Sequence, residues 1–481
     1  MGRENRDFHI CFFPFMAHGH MIPISDMAKL FASQGVKTTI VTTPLNAPII
    51  SKATQSSKTC SSGVEVKIKI IKFPSVEAGL PEGCEHVDSL PSPEFRTNFY
   101  KATSLLQEPL EHLLLQENPS CLVADVLFHW ATDAAAKFDI PRLIFHGFSF
   151  FAMAASDIVT KYEPFKNTSS DSDPFMIPDF PGEITMTRAQ VPDHVKENIE
   201  NDLTRMVKRA KEAEKTSYGI VVNSFYELES VYADYYRNVL GMKAWHIGPV
   251  SLCNRNNEEK ALRGKATSIN EHDFLKWLES KEPNSVVYVC FGSVAKFNAS
   301  QLKEIAMGLE ASGHDFIWVV RAGQDYDMEK EEWLPEGFED RMEGRGLIIR
   351  GWAPQVLILD HGAVGGFVTH CGWNSTLEGI ASGLPMVTWP VAAEQFYNEK
   401  LVTQVLKIGV GVGAQKWVRV VGDSVKKEAV EKAVRRIMVG VEAQEMRSRA
   451  RELAEQAKRA IEKGGSSHSD LNALIEELSS H

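Results

Sequence analysis

The sequence predicts an α/β protein of two domains, each built on a parallel, doubly wound β-sheet. Short apolar strands alternate with amphipathic helices along most of the chain, which is the order that parallel sheets require. With 481 residues, the chain exceeds what one hydrophobic core usually serves. It also divides into two halves of similar pattern, and in each half a first apolar strand ends at a turn that leads into a helix.

The first half opens with a buried strand, a turn and an amphipathic helix. Residues 8–14 predict the strand and residues 21–34 the helix, whose first turn tolerates Pro23. Further strands are predicted at residues 38–43, 140–145 and 218–223, and a further helix at residues 129–138.

The second half repeats this alternation after a polar, charged stretch at residues 251–270, which is typical of an interdomain linker. Strands are predicted at residues 285–291, 315–321, 346–350, 366–369 and 385–389. Helices are predicted at residues 299–312, from residue 375, and at residues 394–407, 424–438, 441–463 and 470–478.

Composition and charge exclude several classes of function. The formal net charge of −11 argues against a nucleic-acid partner, because phosphate binding needs a basic face. The seven cysteines lie scattered without a CxxC pair, so neither a disulfide framework nor a zinc site is predicted. The sequence contains no signal core and no stretch long enough to span a bilayer, and we expect a cytoplasmic monomer.

One stretch, residues 352–395, has the features of an anion site. Residues 366–369 predict a short buried strand, and Gly372 permits a sharp turn after it. Ser375 and Glu378 have the spacing of a capping box, so a helix is predicted to begin there. A strand that leads through a glycine turn into a helix presents unpaired N–H groups and the positive end of the helix dipole to an anion. Side-chain donors at the same place come from His370, Asn374 and Ser375.

Residues on either side of this turn suit a sugar nucleotide. Trp352 has a flat apolar face on which a base could stack, although core packing also explains a tryptophan there. Glu394 and Gln395 follow a second predicted strand and carry acceptors for sugar hydroxyls.

The stretch resembles, nearly position by position, the plant secondary-product glycosyltransferase box of the family 1 UDP-sugar-dependent transferases. The matching residues are Trp352, Gln355, His370, Gly372, Trp373, Asn374, Ser375, Glu378, Glu394 and Gln395. The resemblance implies the GT-B fold, in which two facing Rossmann-like domains form a cleft. On this basis we expect an N-terminal acceptor-binding domain over residues 1–250, a linker over residues 251–270 and a C-terminal UDP-sugar-binding domain over residues 271–463. A terminal helix over residues 464–481 is expected to pack back on the first domain.

His20 is the candidate catalytic base. It lies where the first strand gives way to a helix, and the helix dipole there disfavours the imidazolium, so the ring can accept a proton. A satisfied strand-end histidine is the alternative from residue type alone, but the surrounding Gly-His-x-x-Pro matches the catalytic histidine of the family. His18 is a second candidate, and a His-x-His metal pair is a third interpretation, for which no third ligand is apparent nearby in the sequence.

Asp125 is the candidate partner of that base. It ends the apolar run of residues 121–124, where a carboxylate is costly without a donor partner. Helix capping is the alternative. The resemblance implies that Asp125 bonds the catalytic imidazole, keeps one ring nitrogen protonated and stabilises the charged ring.

The resemblance also assigns the donor-binding residues. Ser293 would reach a phosphate, although an ordinary turn serine is the alternative. Glu378 would accept the ribose hydroxyls, Trp352 would stack on uracil, and Glu394 with Gln395 would bind the sugar. The remaining donor-site residues are expected to be Ala353, Gln355, His370, Gly372, Trp373, Asn374 and Ser375.

The resemblance implies an inverting O-glucosyltransferase that uses UDP-glucose as co-substrate and neither a metal nor another cofactor. The small-molecule acceptor is expected to be a lipophilic plant metabolite, a flavonoid or another phenol, with a triterpenoid or sterol as the alternative. A non-catalytic UDP-sugar-binding protein is the rival class. Candidate walls of the acceptor pocket are Phe15, Phe128, Phe148 and Phe151, for each of which core packing is the alternative.

Overall fold

A computed structural model of the chain describes residues 8–55, 64–197, 200, 202–293, 295, 297–321, 333–418 and 424–480, with the backbone alone at residues 202 and 203. Six of the seven cysteines lie in this part of the chain, and each of the six is a free thiol. Cys60 lies outside the described residues. Among the helices described, none combines the length and the apolarity that crossing a membrane requires.

The strands are short and mostly apolar. In chain order they are β1 (His9–Phe13), β2 (Lys37–Thr42), β3 (Lys67–Ile70), β4 (Cys121–Asp125), β5 (Arg142–His146), β6 (Pro174–Met176), β7 (Thr185–Thr187), β8 (Gly219–Val222), β9 (Ala244–His246), β10 (Val286–Cys290), β11 (Asp315–Val320), β12 (Gly346–Arg350), β13 (Val364–Thr369), β14 (Met386–Thr388) and β15 (Gly409–Gly411).

The helices connect and cover these strands. They are α1 (His18–Ser33), α2 (Ala47–Thr54), α3 (Arg96–Ser104), α4 (Gln107–Glu117), α5 (Ala131–Ala136), α6 (Phe150–Tyr162), α7 (Asp193–Lys196), α8 (Asp202–Thr216), α9 (Tyr226–Asn238), α10 (Asn257–Ala261), α11 (Glu271–Glu279), α12 (Ala299–Ser312), α13 (Phe338–Arg341), α14 (Gln355–Leu359), α15 (Trp373–Ala381), α16 (Gln395–Lys400), α17 (Lys427–Met438), α18 (Gly440–Ile461) and α19 (Ser466–Ser479).

The chain forms two compact units, and the first comprises residues 1–147, 199–264 and 460–481. Its seven-stranded sheet has the order β3-β2-β1-β4-β5-β8-β9, and every described pair is parallel. Strands β1 and β4 are neighbours and buried throughout, because helices cover both faces of the sheet. Helix α19 packs on β9 and α9.

The second unit comprises residues 148–198 and 265–459. Its six-stranded parallel sheet has the order β12-β11-β10-β13-β14-β15, so β10 and β13 lie side by side at the centre. A separate antiparallel pair joins β6 and β7. The unit includes residues 148–198, which the domain boundaries expected from the sequence place in the first domain.

The α/β class with two parallel sheets is confirmed. Several helix predictions are wrong in detail. Helix α1 begins at His18 rather than at residue 21, and α19 begins at Ser466 rather than at residue 470. The helix predicted from residue 375 begins at Trp373, with Gly372 as its N-cap. The helix predicted for residues 394–407 is α-helical over Gln395–Lys400 and continues as a π-helical turn over Leu401–Val405, a change in hydrogen bonding that hydrophobic periodicity does not reveal.

Candidate active site

In the first unit, the carboxyl ends of β1 and β4 bring His20 and Asp125 together. His20 lies in the first turn of α1, directly after β1, and Asp125 is the last residue of β4. The His20 Nδ1 and Asp125 Oδ2 atoms are 2.6 Å apart. The Asp125 side chain is fully buried, whereas 22% of the His20 side chain is exposed. The carboxylate of this pair is therefore buried, and its imidazole is partly exposed.

The surroundings of Asp125 hold its carboxylate in one orientation. Its Oδ1 atom accepts a hydrogen bond from the Leu127 N–H at 3.0 Å, so the local turn uses one oxygen and His20 uses the other. The buried guanidinium of Arg142 donates to the Asp125 backbone carbonyl at 2.8 Å and to Thr132 Oγ1 at 2.6 Å. Burial lowers the pKa of Arg142 to about 10, so the group stays charged at neutral pH. Sequence reasoning missed Arg142, because an arginine at the start of a strand gives no sign of its partner.

His18 has a different partner. Its Nε2 atom lies 3.2 Å from Asp88 Oδ2, in the loop before α3, while Asp125 pairs with His20. His18 and His20, the two candidate histidines of the sequence, thus pair with different carboxylates.

Three of the four phenylalanines proposed as pocket walls are core residues. Phe15 is edge-on to the His20 ring with centroids 5.5 Å apart, and it also contacts Phe128. Phe128 has no exposed surface. Phe151 is likewise buried and packs on Phe180 in the second unit, where Phe148 is partly exposed.

In the second unit, the ends of β10 and β13 hold His370 between two glycines. A Cβ atom on Gly292 would lie 2.5 Å from the His370 Cε1 atom, and one on Gly372 would lie 2.5 Å from Nε2. Both distances are far below van der Waals contact, so glycine is required at both positions for the ring to occupy this place. Gly292 also has a φ of +70°, which favours glycine.

His370 is a neutral group in this site. Burial, and secondly the nearby Arg321 cation, lower the pKa of His370 to about 4. Its Nδ1 atom is buried and has no hydrogen-bond partner in the part of the chain that the structure describes. A buried ring nitrogen in this condition is costly unless a ligand or water satisfies it.

Helix α15 begins beside His370 without a side-chain cap. Its N-cap is Gly372, and no acidic residue lies in its first turn. The capping box predicted for Ser375 and Glu378 is wrong. Instead, the Gln355 side-chain N–H2 group donates to Ser375 Oγ at 3.0 Å and to Glu378 Oε2 at 2.7 Å. Three predicted donor-site residues thus form one network at the start of α15, where the helix dipole favours an anion.

Trp352 lies at the end of β12, after Gly351. Its backbone N–H donates to Ser268 Oγ at 2.8 Å, and its ring lies 5.1 Å from the guanidinium carbon of Arg321. Ala353, the next residue, is buried. Arg321 was missed by sequence reasoning, although it directly follows β11 at the same sheet edge as Ser293, and that position was the available signal.

Glu394 and Gln395 already have protein partners. Glu394 Oε1 accepts from the Trp373 N–H at 3.3 Å and from the Asn398 side-chain amide at 3.2 Å. Gln395 Oε1 accepts from two backbone N–H groups, those of Val391 at 2.8 Å and Ala392 at 2.9 Å. These bonds fix both side chains at the entrance to α16, and Asn398 is a further residue that the sequence did not single out.

The predicted donor-site residues thus collect around the carboxyl ends of β10, β12 and β13 in the second unit. Asn374 and Ser375 lie in the first turn of α15, and Ser293 follows Gly292 after β10. Neutral donors and a helix N-terminus can bind a diphosphate, and a tryptophan ring can stack on a base. In the first unit, the partly exposed His20 imidazole, paired with the buried Asp125 carboxylate, can accept a proton.

The known proteins to which this chain is similar are sugar transferases. Residues 243–441 match the family model for UDP-glucoronosyl and UDP-glucosyl transferase. The chain is 58% identical to scopoletin glucosyltransferase of Nicotiana tabacum and 56% identical to anthocyanin 3'-O-beta-glucosyltransferase of Gentiana triflora, with 98% of each chain covered in both comparisons. It is similar in structure to Glycyrrhiza uralensis UGT73P12 complexed with glycyrrhetinic acid 3-O-monoglucuronide, with a TM-score of 0.91 and 41% identity over 99% of this chain and 96% of that one.

Identity at this level over nearly the whole length establishes the family, and the two sheets agree with its fold. The chain therefore belongs to the plant family 1 glycosyltransferases and is a GT-B enzyme that transfers sugar from a UDP-sugar.

Proposed function

We propose that this enzyme transfers glucose from UDP-glucose to a phenolic hydroxyl of a flavonoid-like acceptor, with inversion at the anomeric carbon. The observation that carries the proposal is the 2.6 Å contact between His20 Nδ1 and the buried Asp125 carboxylate. This contact keeps the proton on Nδ1 and leaves Nε2 as the base.

In the proposed step, His20 Nε2 removes the acceptor proton while the acceptor oxygen attacks the anomeric carbon. The new C–O bond forms as the bond from that carbon to the UDP oxygen breaks, so UDP leaves with the electron pair. Asp125 stabilises the resulting imidazolium, and the proton is then released to water. A phenol, with a pKa near 10 as in tyrosine, gives its proton to an imidazole more readily than an aliphatic alcohol does.

The leaving diphosphate is bound by the second unit in this proposal. Ser293, the neutral His370 ring and the first turn of α15, with Asn374 and Ser375, donate hydrogen bonds to it. Uracil stacks on Trp352 beside Ala353, and Glu378 accepts the ribose hydroxyls with its carboxylate oriented by Gln355. Glu394 is positioned by the Trp373 N–H and Gln395 by the Val391 N–H, and in this proposal both side chains bind the glucose hydroxyls.

The acceptor class is supported by the relatives. The tobacco and gentian enzymes are named for scopoletin and anthocyanin, so they act on phenols and flavonoids. A triterpenoid acceptor is the second candidate, favoured by the ligand of the similar Glycyrrhiza structure. A panel of flavonols, simple phenols and triterpenoids, each incubated with UDP-glucose, separates the two by product identification.

The same assay tests the enzyme against the rival class. If UDP is released only when a phenol is present, the protein is a transferase. If UDP-glucose binds but no acceptor of the panel causes UDP release, the protein is a non-catalytic binder. The anomeric configuration of the product tests inversion, and replacing UDP-glucose by UDP-galactose or UDP-glucuronate tests donor choice.

We also propose that the enzyme needs neither a metal nor a further cofactor and works as a cytoplasmic monomer. The donors around His370 and the dipole of α15 offset diphosphate charge without an ion. The six described cysteines are free thiols, as is usual in a reducing compartment. Turnover that persists in EDTA, and elution as a single chain, are the expected results.

A further inference from the structure

Three metal-ligating side chains lie together in the first unit, beside the first turn of α1. His18 is the first residue of that helix, and His86 and Asp88 belong to a short loop in which the Val87 N–H donates to the Met16 carbonyl at 3.0 Å. One ligand atom from each of the three side chains lies within 4.8 Å of the others. The backbone contact at Met16 explains why this distant loop reaches α1.

The distances are close to those of a metal site. His18 Nε2 lies 3.2 Å from Asp88 Oδ2, and His86 Nδ1 lies 3.7 Å from Asp88 Oδ1. Tetrahedral zinc with bonds of about 2.1 Å needs ligand atoms separated by about 3.4 Å. Ring movements on the order of 1 Å would therefore complete the geometry.

The chemistry of the three groups selects one class of ion. Two imidazoles and one carboxylate are the ligands of zinc sites that keep a fourth position for water, whereas calcium and magnesium prefer oxygen ligands alone. The His18 and His86 rings have centroids 4.2 Å apart, so both can approach a single ion. His18 and His86 are buried, and Asp88 keeps 16% of its side chain exposed, which provides an entry path.

We propose that His18, His86 and Asp88 form a binding site for one divalent transition metal of the zinc type. Binding displaces the hydrogen bond that the Asp88 N–H donates to His86 Nδ1, a weak bond relative to a metal–imidazole bond. Because His18 and His20 share the first turn of α1, an ion held by His18 also fixes the turn that carries His20.

The test measures zinc binding directly, with untagged enzyme cleared of metal by a chelator. Isothermal titration with ZnCl₂ should show one tight site per chain, and the single variants H86Q and D88N should each lose at least ten-fold in affinity. The matched control is H112Q, an exposed histidine on α4, which should bind as the parent does. Cobalt absorption adds a check, since this site predicts tetrahedral bands without a thiolate charge-transfer band.

The outcomes separate cleanly. No tight site in the parent, equal affinity in parent and both variants, or a thiolate band would each overturn the proposal and leave the three side chains as a hydrogen-bond network. If D88N fails to fold by circular dichroism, H18Q takes its place. Zinc should also raise the Tm of the parent and leave that of H86Q unchanged. None of these readouts needs turnover, so a failed site and a failed transferase assignment are distinguishable.

Discussion

His20 and His370 occupy comparable places in the two units, since each lies where a parallel strand leads into a helix: His20 in the first turn of α1, and His370 between β13 and α15. Their neighbours differ. His20 bonds a buried carboxylate at 2.6 Å, whereas His370 lies between two glycines and near the Arg321 cation. The first environment gives the ring a carboxylate partner, whereas burial and the nearby cation keep the second ring neutral. The same strand-to-helix turn can thus supply a base in one unit and a neutral hydrogen-bond donor in the other.

The largest effect that this comparison predicts is the loss of transfer in His20→Gln. Glutamine keeps a polar side chain but cannot take the acceptor proton, so kcat should fall by about 10³-fold or more. UDP affinity, measured by calorimetry, should stay within a factor of two or so of the parent, because the proposed donor site lies in the other unit. Near-normal turnover in this variant would remove His20 from the proposed mechanism.

The next effect is that of Asp125→Asn, which keeps the size of the side chain and removes its charge. An asparagine leaves the protonated imidazole without its anionic partner and can favour the wrong tautomer, so we expect kcat to fall by about 10²–10⁴-fold. The KM for UDP-glucose should change little. A loss confined to KM would instead indicate that Asp125 supports structure rather than the base.

Much of the fold and of this contrast could be predicted from the sequence. Apolar strands buried on both faces, such as β1 and β10, are recognisable from their composition. The turn after the first strand and the turn at Gly372 mark where the side chains of the site collect. The partner of His20, Asp125, was expected from the family resemblance, whereas the two arginines near these sites were not predicted. Arg142 lies on β5, next to the strand of Asp125, and Arg321 follows β11, two strands away from β13, so both contributions depend on the strand order of the sheet.

Local pattern was misleading where tertiary contacts compete with it. Ser375 and Glu378 have capping-box spacing, but the amide of Gln355 takes both oxygens. The sequence interpretation of His18 likewise lacked a third ligand, because His86 and Asp88 arrive from a loop far along the chain. The spacing of residues in the sequence could not predict these contacts, because the residues that make them are far apart along the chain.

Gly372→Ala should disturb the environment of His370 and leave that of His20 unchanged. The new methyl group would lie 2.5 Å from His370 Nε2, and displacing the ring should weaken UDP binding by about 10-fold or more, since strain of this kind costs about 1–3 kcal/mol. Gly362→Ala is the matched control, because a Cβ atom there meets nothing within 4 Å. Calorimetry with UDP should separate the two variants, and equal affinities would show that the glycine does not hold the ring in place.

The smallest expected effect concerns acid stability. Because burial and Arg321 lower the pKa of His370 to about 4, while an unfolded histidine titrates near 6.5, the unfolded state binds the extra proton between these values. The free energy of unfolding should therefore fall, as pH drops from about 6.5 to 4, by on the order of 1 kcal/mol per pH unit for this group. His9 in the first unit, with a pKa of about 4 that burial and secondly Lys37 produce, should contribute a similar slope. Urea unfolding of the parent and of His370→Gln across this range measures the difference. In the variant, the free energy of unfolding should depend less steeply on pH, because only the contribution of His9 remains. The same slope in parent and variant would mean that His370 is protonated in the folded enzyme.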